Sequence, residues 1–360
     1  MRSRFFSAKY DALTPYTPGE QPAGVEKYLK LNTNESPFPP SPAALEYAAE
    51  HTRSLKLYPD PECRELRALV AASLGAAAGV RPSEVLLTNG SDEILNFAFM
   101  AFCDASHPAV FPDITYGFYA VFSELNGIPY STLPLREDFS VDVEAYVGLG
   151  KTIFLANPNA PTGLVLSPAE IERIVAGNPD NVVVVDEAYI DFGGQSCVPL
   201  IHRYDNLLVT RTFSKSCSMA GARLGFGVGS EALIADLNTI KYSTNPYNIN
   251  SMTMAMGIGT LLNADYVRRN CAAIAAVRDA TAATLRQRGF EVTPSAANFL
   301  FARSGAMEGG ALYRALREKG VLVRHFDEAR ISDYNRITVG TEAQMDALLG
   351  ALEEILGGAV

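Results

Sequence analysis

LLVTRTFSKSCSMAGARLGFGVG, residues 207–229, places one lysine among hydroxyl side chains just after an apolar run that is typical of a β-strand. That lysine is Lys215, and Arg223 lies eight residues further on, after a segment of small residues. A lysine in this setting can form a Schiff base while hydroxyls and a guanidinium hold a phosphate. By itself the stretch also fits an ordinary loop with a solvated lysine, because Ser-Lys pairs are common.

The composition predicts a globular protein with one large and one smaller domain. The chain has 360 residues, of which 48% are hydrophobic and 19% are charged. Its formal net charge is −10 and it has no basic block, which argues against nucleic acid and anionic membranes as partners. No apolar run approaches membrane-spanning length, and the first residues lack the apolar core of a secretory signal.

The cysteines and histidines predict a reduced, cytoplasmic protein without a metal site. The five cysteines are odd in number, widely spaced and free of any C-x-x-C pair. The four histidines include no pair with the spacing of metal ligands.

A run of valines that ends at Asp186 predicts a buried strand of a parallel sheet, because such strands are apolar on both faces. Ligands bind open α/β sheets at the carboxyl ends of their strands, which is where Asp186 falls. A buried carboxylate needs a partner, so we expect Asp186 to face a bound group. The alternative is an aspartate that merely caps the end of the strand.

Two further strand ends carry candidate ligand groups. Residues 85–93 read as a strand, a glycine turn and a helix start, and the N–H groups of Gly90, Ser91 and Asp92 would then face a phosphate. The same residues would also form a plain helix cap. Tyr116 follows another strand and would either stack on a flat ring or lie half-buried in the core.

Proline and glycine divide the chain into three predicted regions. Residues 1–40 are rich in proline and predict an extended arm. Residues 41–264 predict the large domain with its buried parallel strands, and residues 265–360 alternate helices and short strands as a smaller α+β domain that packs with the arm. Within the large domain, Asp60-Pro61 predicts the start of a helix that stops at Gly75.

The order of the motifs resembles a known family. LNTNESPF, YPDP, NGSDE, TY at 115–116, NP-x-x-PTG, VVVDEAY, FSK with its arginine, GVLVRHF and RITVGT follow one another along nearly the whole chain. Together they resemble fold-type I pyridoxal-phosphate aminotransferases, most closely histidinol-phosphate aminotransferases. Single motifs of this kind are weak, but this many in order are specific. The resemblance implies a homodimer whose large domain has a mixed, mostly parallel sheet between helices.

The resemblance also implies a role for each candidate residue toward pyridoxal 5'-phosphate. Lys215 would carry the cofactor as an internal aldimine and shuttle a proton, and Asp186 would pair with the protonated pyridine nitrogen. Tyr189 would hydrogen-bond the ring hydroxyl, and Ala188 and Tyr116 would cover the two ring faces. The implied phosphate ligands are Gly90, Ser91, Asp92, Thr212, Ser214 and Arg223, with Tyr58 reaching over from the neighbouring subunit.

The implied substrate pocket depends on arginines near the C-terminus. Arg336 would take the acidic group of the substrate, and Arg324, with Tyr16 and Asn34 from the arm, would complete the pocket. Guanidinium groups suit bidentate recognition of anions. From the sequence alone, Arg324 fits equally well a surface ion pair with Asp327 or Glu328.

One position departs from the family pattern. The asparagine that usually precedes Pro-Thr-Gly and contacts the ring hydroxyl is replaced here by Ala160. The ring hydroxyl would then depend more on Tyr189 or on a water molecule, and Asn157 and Asn159 need not reach it.

The resemblance favours transamination between histidinol phosphate and 2-oxoglutarate, in histidine synthesis. Two alternatives share the same machinery. The first is an aromatic amino-acid aminotransferase, and the second is a threonine-phosphate decarboxylase, which is a lyase. A purely structural protein would leave Asp186, Lys215 and Arg223 without a reason.

Overall fold

A computed structural model describes residues 4–11 and 13–357 of the chain. Its strands are β1 (Leu29–Lys30), β2 (Val85–Thr88), β3 (Ala109–Pro112), β4 (Tyr130–Leu133), β5 (Thr152–Ala156), β6 (Val183–Asp186), β7 (Leu207–Thr212), β8 (Gly225–Gly229), β9 (Phe290–Val292), β10 (Phe299–Ser304), β11 (Val321–Leu322), β12 (Arg324–His325) and β13 (Tyr334–Thr338). Its α-helices are α1 (Pro42–His51), α2 (Arg64–Ser73), α3 (Ser91–Phe102), α4 (Phe118–Asn126), α5 (Pro168–Ala176), α6 (Glu231–Thr244), α7 (Ser251–Leu262), α8 (Ala264–Gln287), α9 (Gly309–Glu318) and α10 (Glu342–Leu356).

The main sheet has seven strands in the order β2-β8-β7-β6-β5-β3-β4. Strands β3 to β7 pair in parallel with their neighbours in that group, and β8 runs antiparallel to both β7 and β2. The predicted α/β class with a mixed, mostly parallel sheet is therefore confirmed. The segment of mostly small residues after Lys215 is the connection that lets β8 return beside β7.

Helices cover both faces of this sheet, which explains why its central strands begin with apolar runs. Val183 and Val185 pack in a cluster with residues of α2, α5 and α7, whereas Val184 packs on the opposite face with residues of α3, α4 and α6. Every residue of β6 is buried. Successive side chains of a strand point to opposite faces, so a strand buried on both sides is apolar in a continuous run, here Val183 to Val185.

The register of the central strands sets the position of the site. Ala156 of β5, Asp186 of β6 and Thr210 of β7 lie side by side. Because these strands are parallel, their carboxyl ends meet at one edge of the sheet. The polar residues that follow them are thereby brought together, although they are far apart in sequence.

A second, antiparallel sheet in the order β12-β13-β10-β9 lies in the C-terminal part of the chain. Residues of α8, α9 and α10 pack against it in one hydrophobic cluster that also includes Leu31. Strand β1 pairs in parallel with β11, so the N-terminal segment lies against this part. The division into an arm (1–40), a large domain (41–264) and a small domain (265–360) stays a prediction.

The second helix begins later than its sequence predicts. Its expected start at Pro61 is wrong, because α2 begins at Arg64. Residues Asp60 to Cys63 instead form a turn, in which the Cys63 N–H donates to the Asp60 carbonyl and Cys63 adopts a left-handed φ of 47°. The Asp60 carboxylate accepts hydrogen bonds from the backbone N–H groups of Glu62 and Arg64, so it caps the helix from a position further upstream.

Other boundaries agree with the sequence signals. The Ser41 side chain accepts a hydrogen bond from the Ala44 N–H and caps α1, with Pro42 as the first helical residue. Capping boxes with Ser167 and with Thr341 begin α5 and α10. Within the described ranges, the structure has no helix that is both long and apolar enough to cross a membrane.

Helices α1 and α7 approach each other closely at Gly259. A Cβ atom at this position would lie 2.5 Å from the Ala43 carbonyl oxygen and 2.7 Å from the Ala44 Cα. These are backbone atoms, so they cannot move aside by changing a rotamer.

We predict that Gly259→Ala destabilises the protein by about 1–3 kcal/mol, because overpacking forces two helix backbones apart. Gly350→Ala is the matched control: Gly350 is also inside a helix, and a Cβ there meets nothing within 4 Å. The control should stabilise by about 0.5–1 kcal/mol through helix propensity. Urea unfolding measures both changes, and equal effects at the two positions would contradict the packing argument.

Candidate active site

One cavity lies at the carboxyl ends of β6 and β7, with a volume of about 340 Å³. Ten of the residues predicted from the sequence line it: Ser91, Asp92, Tyr116, Asp186, Ala188, Tyr189, Thr212, Ser214, Lys215 and Arg223. Gly90, which caps α3, adjoins them. The parallel strands thus bring together residues from five separate segments of the chain.

Asp186 is a buried carboxyl group whose hydrogen-bond donors are neutral. Its side chain accepts from the Thr210 hydroxyl at 3.1 Å and from the Tyr119 hydroxyl at 3.5 Å. Burial raises the pKa of Asp186 to about 7, against the hydrogen bonds that lower it. A carboxyl group held in this way is well placed to pair with a cation that enters the cavity.

Lys215 presents its amine to the same cavity. Its Nζ donates to the Thr33 carbonyl at 3.3 Å and lies 5.9 Å from the centre of the Tyr189 ring. The chain around it is held by short-range bonds, since the Thr212 hydroxyl accepts from the Ser214 N–H at 3.1 Å. A single primary amine therefore lies between the Asp186 strand and the N-terminal segment.

The start of α3 forms a cradle for an anion. No side chain within the described part of the molecule caps this helix, and Gly90 before it has a φ of 77°, which glycine adopts without strain. A Cβ on Gly90 would lie 2.5 Å from Nη2 of Arg223, and a Cβ on Gly225 would lie 2.5 Å from the Ser91 backbone nitrogen. Glycine at both positions leaves the helix N-terminus open beside a guanidinium group, which is a favourable site for phosphate.

Asp92 links the anion cradle to Tyr116. The Tyr116 hydroxyl donates to one carboxylate oxygen of Asp92 at 2.6 Å, and Nη2 of Arg223 donates to the other at 3.0 Å. The carboxylate of Asp92 is therefore occupied by these two side chains, and its backbone N–H is the group available to an anion. Arg223 itself has a left-handed φ of 55°, a conformation that costs energy outside glycine.

Tyr189 and Ala160 form a wall of the cavity. Tyr189 packs edge-on against Phe299, and Ala160 packs in the same small cluster. The two asparagines nearby are engaged elsewhere: Asn157 bonds the backbone of Leu166, and Asn159 bonds the Ile114 carbonyl at 3.0 Å. The Asn157–Pro158 and Ala160–Pro161 peptide bonds are both cis.

Two arginines lie opposite each other on β12 and β13. Arg324 and Arg336 are direct cross-strand partners. Arg336 is partly buried, its Nη2 donates to the Asn32 carbonyl at 3.1 Å, and its Nε has no partner among the described residues. Burial lowers the pKa of Arg336. Like charges side by side are unfavourable, so this pair is suited to an anion.

Arg324 contacts the arm rather than the acidic residues that follow it. Its guanidinium donates to the carbonyls of Thr17 and Pro18, each at 3.4 Å, and lies over the Phe326 ring. Within the described ranges, no ion pair joins Arg324 to Asp327 or Glu328.

Besides Gly90, five predicted residues lie outside the cavity lining: Tyr16, Asn34, Tyr58, Arg324 and Arg336. Tyr16 stacks on Phe118 at 4.3 Å, and Tyr58 stacks on Tyr247 at 4.7 Å. Asn34 is buried behind Tyr189, to which its Nδ2 donates at 3.0 Å.

Other residues of the site escape sequence reasoning. Gln21, Thr33 and Glu35 line the cavity from the N-terminal segment. Tyr119 is fully buried beneath Asp186, although its sequence signal is only that of an aromatic residue in a helix. Thr210 could have been found from the sequence: aligning the apolar runs of β6 and β7 as parallel neighbours places Thr210 directly beside Asp186.

Comparison with known proteins defines the class first. A family model for aminotransferase class I and II matches residues 26–352. Histidinol-phosphate aminotransferase 1 of Bordetella parapertussis is 48% identical over 357 residues, which cover 98% of this chain and 99% of that protein. Histidinol-phosphate aminotransferase 2 of Thiobacillus denitrificans is 47% identical, with 98% of each chain covered. This chain therefore belongs to the class I and II aminotransferases and, within them, to the histidinol-phosphate aminotransferase family.

Solved structures agree on the fold. The crystal structure of histidinol-phosphate aminotransferase from Sinorhizobium meliloti, in complex with pyridoxal-5'-phosphate, superposes with a TM-score of 0.86 at 24% sequence identity. The match covers 100% of this chain and 99% of that one. At this sequence identity the structural match supports the fold alone, and this is the fold that the motif order in the sequence predicts.

We predict that Asp186→Asn makes the cofactor-free protein more stable at pH 8 but not at pH 4. The folded protein holds the Asp186 proton up to a pKa of about 7, whereas an unfolded aspartate releases it near pH 4. The parent therefore loses stability as the pH rises through this window, and asparagine does not. The free energy of unfolding of the variant minus that of the parent, measured with urea, should increase by about 2–4 kcal/mol between pH 4 and pH 8. A difference that does not change with pH would contradict the buried-carboxyl interpretation.

Proposed function

We propose that this chain is a pyridoxal 5'-phosphate-dependent aminotransferase that exchanges an amino group between histidinol phosphate and 2-oxoglutarate, in histidine synthesis. The observation that carries the proposal is one cavity with a buried carboxyl group, a primary amine and an open helix N-terminus beside an arginine. Relatives with the name histidinol-phosphate aminotransferase match over almost their whole length.

The residues of the cavity fit this cofactor. A protonated ring nitrogen would supply the cation that the Asp186 carboxyl lacks, and the phosphate would occupy the cradle between α3 and Arg223. Gly90, Ser91, Asp92, Thr212, Ser214 and Arg223 are the residues that would hold the phosphate. Tyr116 and Ala188 would lie on opposite faces of the ring, and Tyr189 would meet its hydroxyl.

When bound, pyridoxal 5'-phosphate supplies an electron sink for negative charge on the substrate carbon. The residues of this chain would then transfer protons and stabilise the charge on the ring nitrogen. Asp186 would favour a proton on the ring nitrogen, because a nearby carboxylate stabilises the charged form of that nitrogen. Lys215 Nζ would hold the cofactor covalently between turnovers and, once free, would take up the proton that the substrate carbon releases.

Arg336 and Arg324 support a substrate with an acidic end. Arg336 is partly buried, its Nε has no partner among the described residues, and it contacts the arm through the Asn32 carbonyl. Two adjacent guanidinium groups suit a dianion, such as the phosphate of histidinol phosphate, and the side-chain carboxylate of glutamate would use the same place. Arg324 donates to the carbonyls of Thr17 and Pro18 in the N-terminal segment, which also contains Tyr16 and Asn34.

The proposal is tested by turnover with purified protein and added cofactor. Histidinol phosphate and 2-oxoglutarate should give the ketone phosphate and glutamate. Turnover of phenylalanine far above that of histidinol phosphate would identify an aromatic aminotransferase instead, and release of carbon dioxide from threonine phosphate would identify a lyase. Failure of histidinol phosphate turnover in a cofactor-loaded protein would reject the proposed substrate.

We predict that Lys215→Ala lowers kcat/KM by at least about a thousandfold, because it removes both the covalent attachment and the proton carrier. Borohydride treatment followed by mass spectrometry should find the cofactor fixed to the peptide that contains Lys215 in the parent and not in the variant. Lys151→Ala is the control, since that lysine bonds Ser131 and does not line the cavity. Full activity in the Lys215 variant would exclude the proposed mechanism.

A homodimer with shared active sites is part of the proposal. Tyr58 is 81% exposed, and Leu55, Leu57, Tyr247 and Leu262 are other exposed apolar side chains of the same α1 and α7 region. An apolar surface of this kind suits a second copy of the chain.

A cytoplasmic location is also part of the proposal. All five cysteines are free, which supports it.

We predict that mixing two inactive variants, Tyr58→Ala and Lys215→Ala, restores activity. If Tyr58 serves the partner's cavity, each mixed dimer has one site with both residues intact and one site with neither. With half of the dimers mixed, co-expression should give about one quarter of the parent activity. Activity no higher than the sum of the separate variants would show that Tyr58 does not act across the dimer.

A further inference from the structure

We propose that Asn34 is a positioning residue that fixes the direction in which the Tyr189 hydroxyl donates its hydrogen. The Tyr189 hydrogen bond would then compensate in part for the asparagine that contacts the ring hydroxyl in the family pattern and that Ala160 replaces. The inference rests on the proposed function, since it assigns the group that meets the ring hydroxyl of the cofactor. It also gives Asn34 a role other than the direct substrate contact that the family resemblance implies.

The orientation of the Asn34 side-chain amide is set by Thr338. The Thr338 hydroxyl accepts from the Asn34 backbone N–H at 2.9 Å, so its own hydrogen is free to be donated. It donates that hydrogen to Oδ1 of Asn34 at 3.1 Å. With the amide turned round, the Thr338 hydrogen would face an amide nitrogen, which does not accept hydrogen bonds. The observed orientation, with the amide oxygen toward Thr338 and Nδ2 toward Tyr189, satisfies both groups.

The same logic fixes the hydrogen of Tyr189. Nδ2 of Asn34 donates to the Tyr189 hydroxyl oxygen at 3.0 Å. Since an amide N–H can only donate, the Tyr189 hydrogen cannot point toward Asn34. Tyr189 lines the cavity, so its hydrogen remains available there. Asn34 thus makes Tyr189 a donor toward the cavity and strengthens it by polarising the O–H bond.

Ala160 is the reason that this arrangement matters in this chain. Its methyl group lines the cavity beside Tyr189 and offers no polar atom. The Asn157 side chain bonds the backbone of Leu166, and the Asn159 side chain bonds the Ile114 carbonyl and the hydroxyls of Thr115 and Thr162. On this wall the ring hydroxyl is left with Tyr189, whose donor direction depends on Asn34.

Asn34 is held firmly in a conformation that few residues tolerate. It is 1% exposed and has a φ of 56°, in the left-handed region, where asparagine and aspartate are enriched. Nδ2 of Asn298 donates to its carbonyl at 2.9 Å. The backbone is therefore fixed from β13 and from the loop before β10, and the amide cannot drift away from Tyr189.

Asn34→Asp is the decisive variant, because aspartate keeps the size of the side chain and tolerates the left-handed backbone. Thr338 still donates to one carboxylate oxygen, and the other oxygen accepts the Tyr189 hydrogen and turns it away from the cavity. A ring oxygen that loses a donor becomes more basic. The pH midpoint of the visible absorbance change of the bound cofactor should therefore rise by roughly half to one pH unit. Tyr189→Phe should raise it in the same way.

The double variant separates this effect from the added charge. If Asn34 acts through Tyr189, Asn34→Asp should leave the midpoint unchanged when phenylalanine already occupies position 189. A charge acting through space would raise the midpoint equally in both backgrounds, and that result would overturn the proposal. Thr338→Val is a second, uncharged variant that frees the amide to rotate, and a smaller rise is expected.

Asn178→Asp is the matched control. Asn178 is also a buried asparagine, and its Nδ2 donates to the carbonyls of Tyr146 and Ile174, but it does not line the cavity. Loss of stability without a shift of the midpoint is expected there. A parent protein that binds no cofactor would reject the proposed function. A parent that binds it, with an unshifted midpoint in Asn34→Asp and a shifted one in Tyr189→Phe, would reject the role of Asn34 alone.

Discussion

The burial of one carboxyl group at the end of β6 is the constraint on which the site depends. Asp186 lies where parallel strands converge, with Thr210 beside it and Tyr119 beneath it. Neutral donors can orient this group but cannot balance its charge, so a cation close by is needed to bring its pKa back down from about 7. The fold thereby couples the charge of Asp186 to the occupancy of the cavity. The neighbouring strands β5 and β7 fix Asp186 at the wall of this cavity, where a bound cation would contact it.

Much of this could be predicted from the sequence, because the informative signals are local. An apolar run that stops at Asp186 marked the end of β6, an apolar run from Leu207 marked the start of β7, and glycine before α3 marked an open helix start. The order of many weak motifs then identified the family. The start of α2 was misjudged, because a left-handed Cys63 and the Asp60 carboxylate delay the helix in a way that residue preferences do not reveal.

The parts that the sequence could not predict are those that depend on contacts between distant segments. Thr33 and Glu35 reach the cavity because β1 pairs with β11. Tyr119 reaches Asp186 because α4 packs beneath the central strands. Asn34 meets Tyr189 only because Thr338 holds it from β13. No spacing rule within one segment contains this information, since each contact requires the chain to have folded first.

The pairing of β1 with β11 also has a consequence for the synthesis of the protein. Leu29 leaves the ribosome long before its partner Val321 has been synthesised. The central sheet can form while translation continues, whereas the wall that contains Thr33 and Glu35 must wait for the C-terminal strands. A nascent chain therefore holds Lys215 and Asp186 before the segment that covers them is docked. The site is therefore complete only after Val321 has been synthesised and β1 has paired with β11.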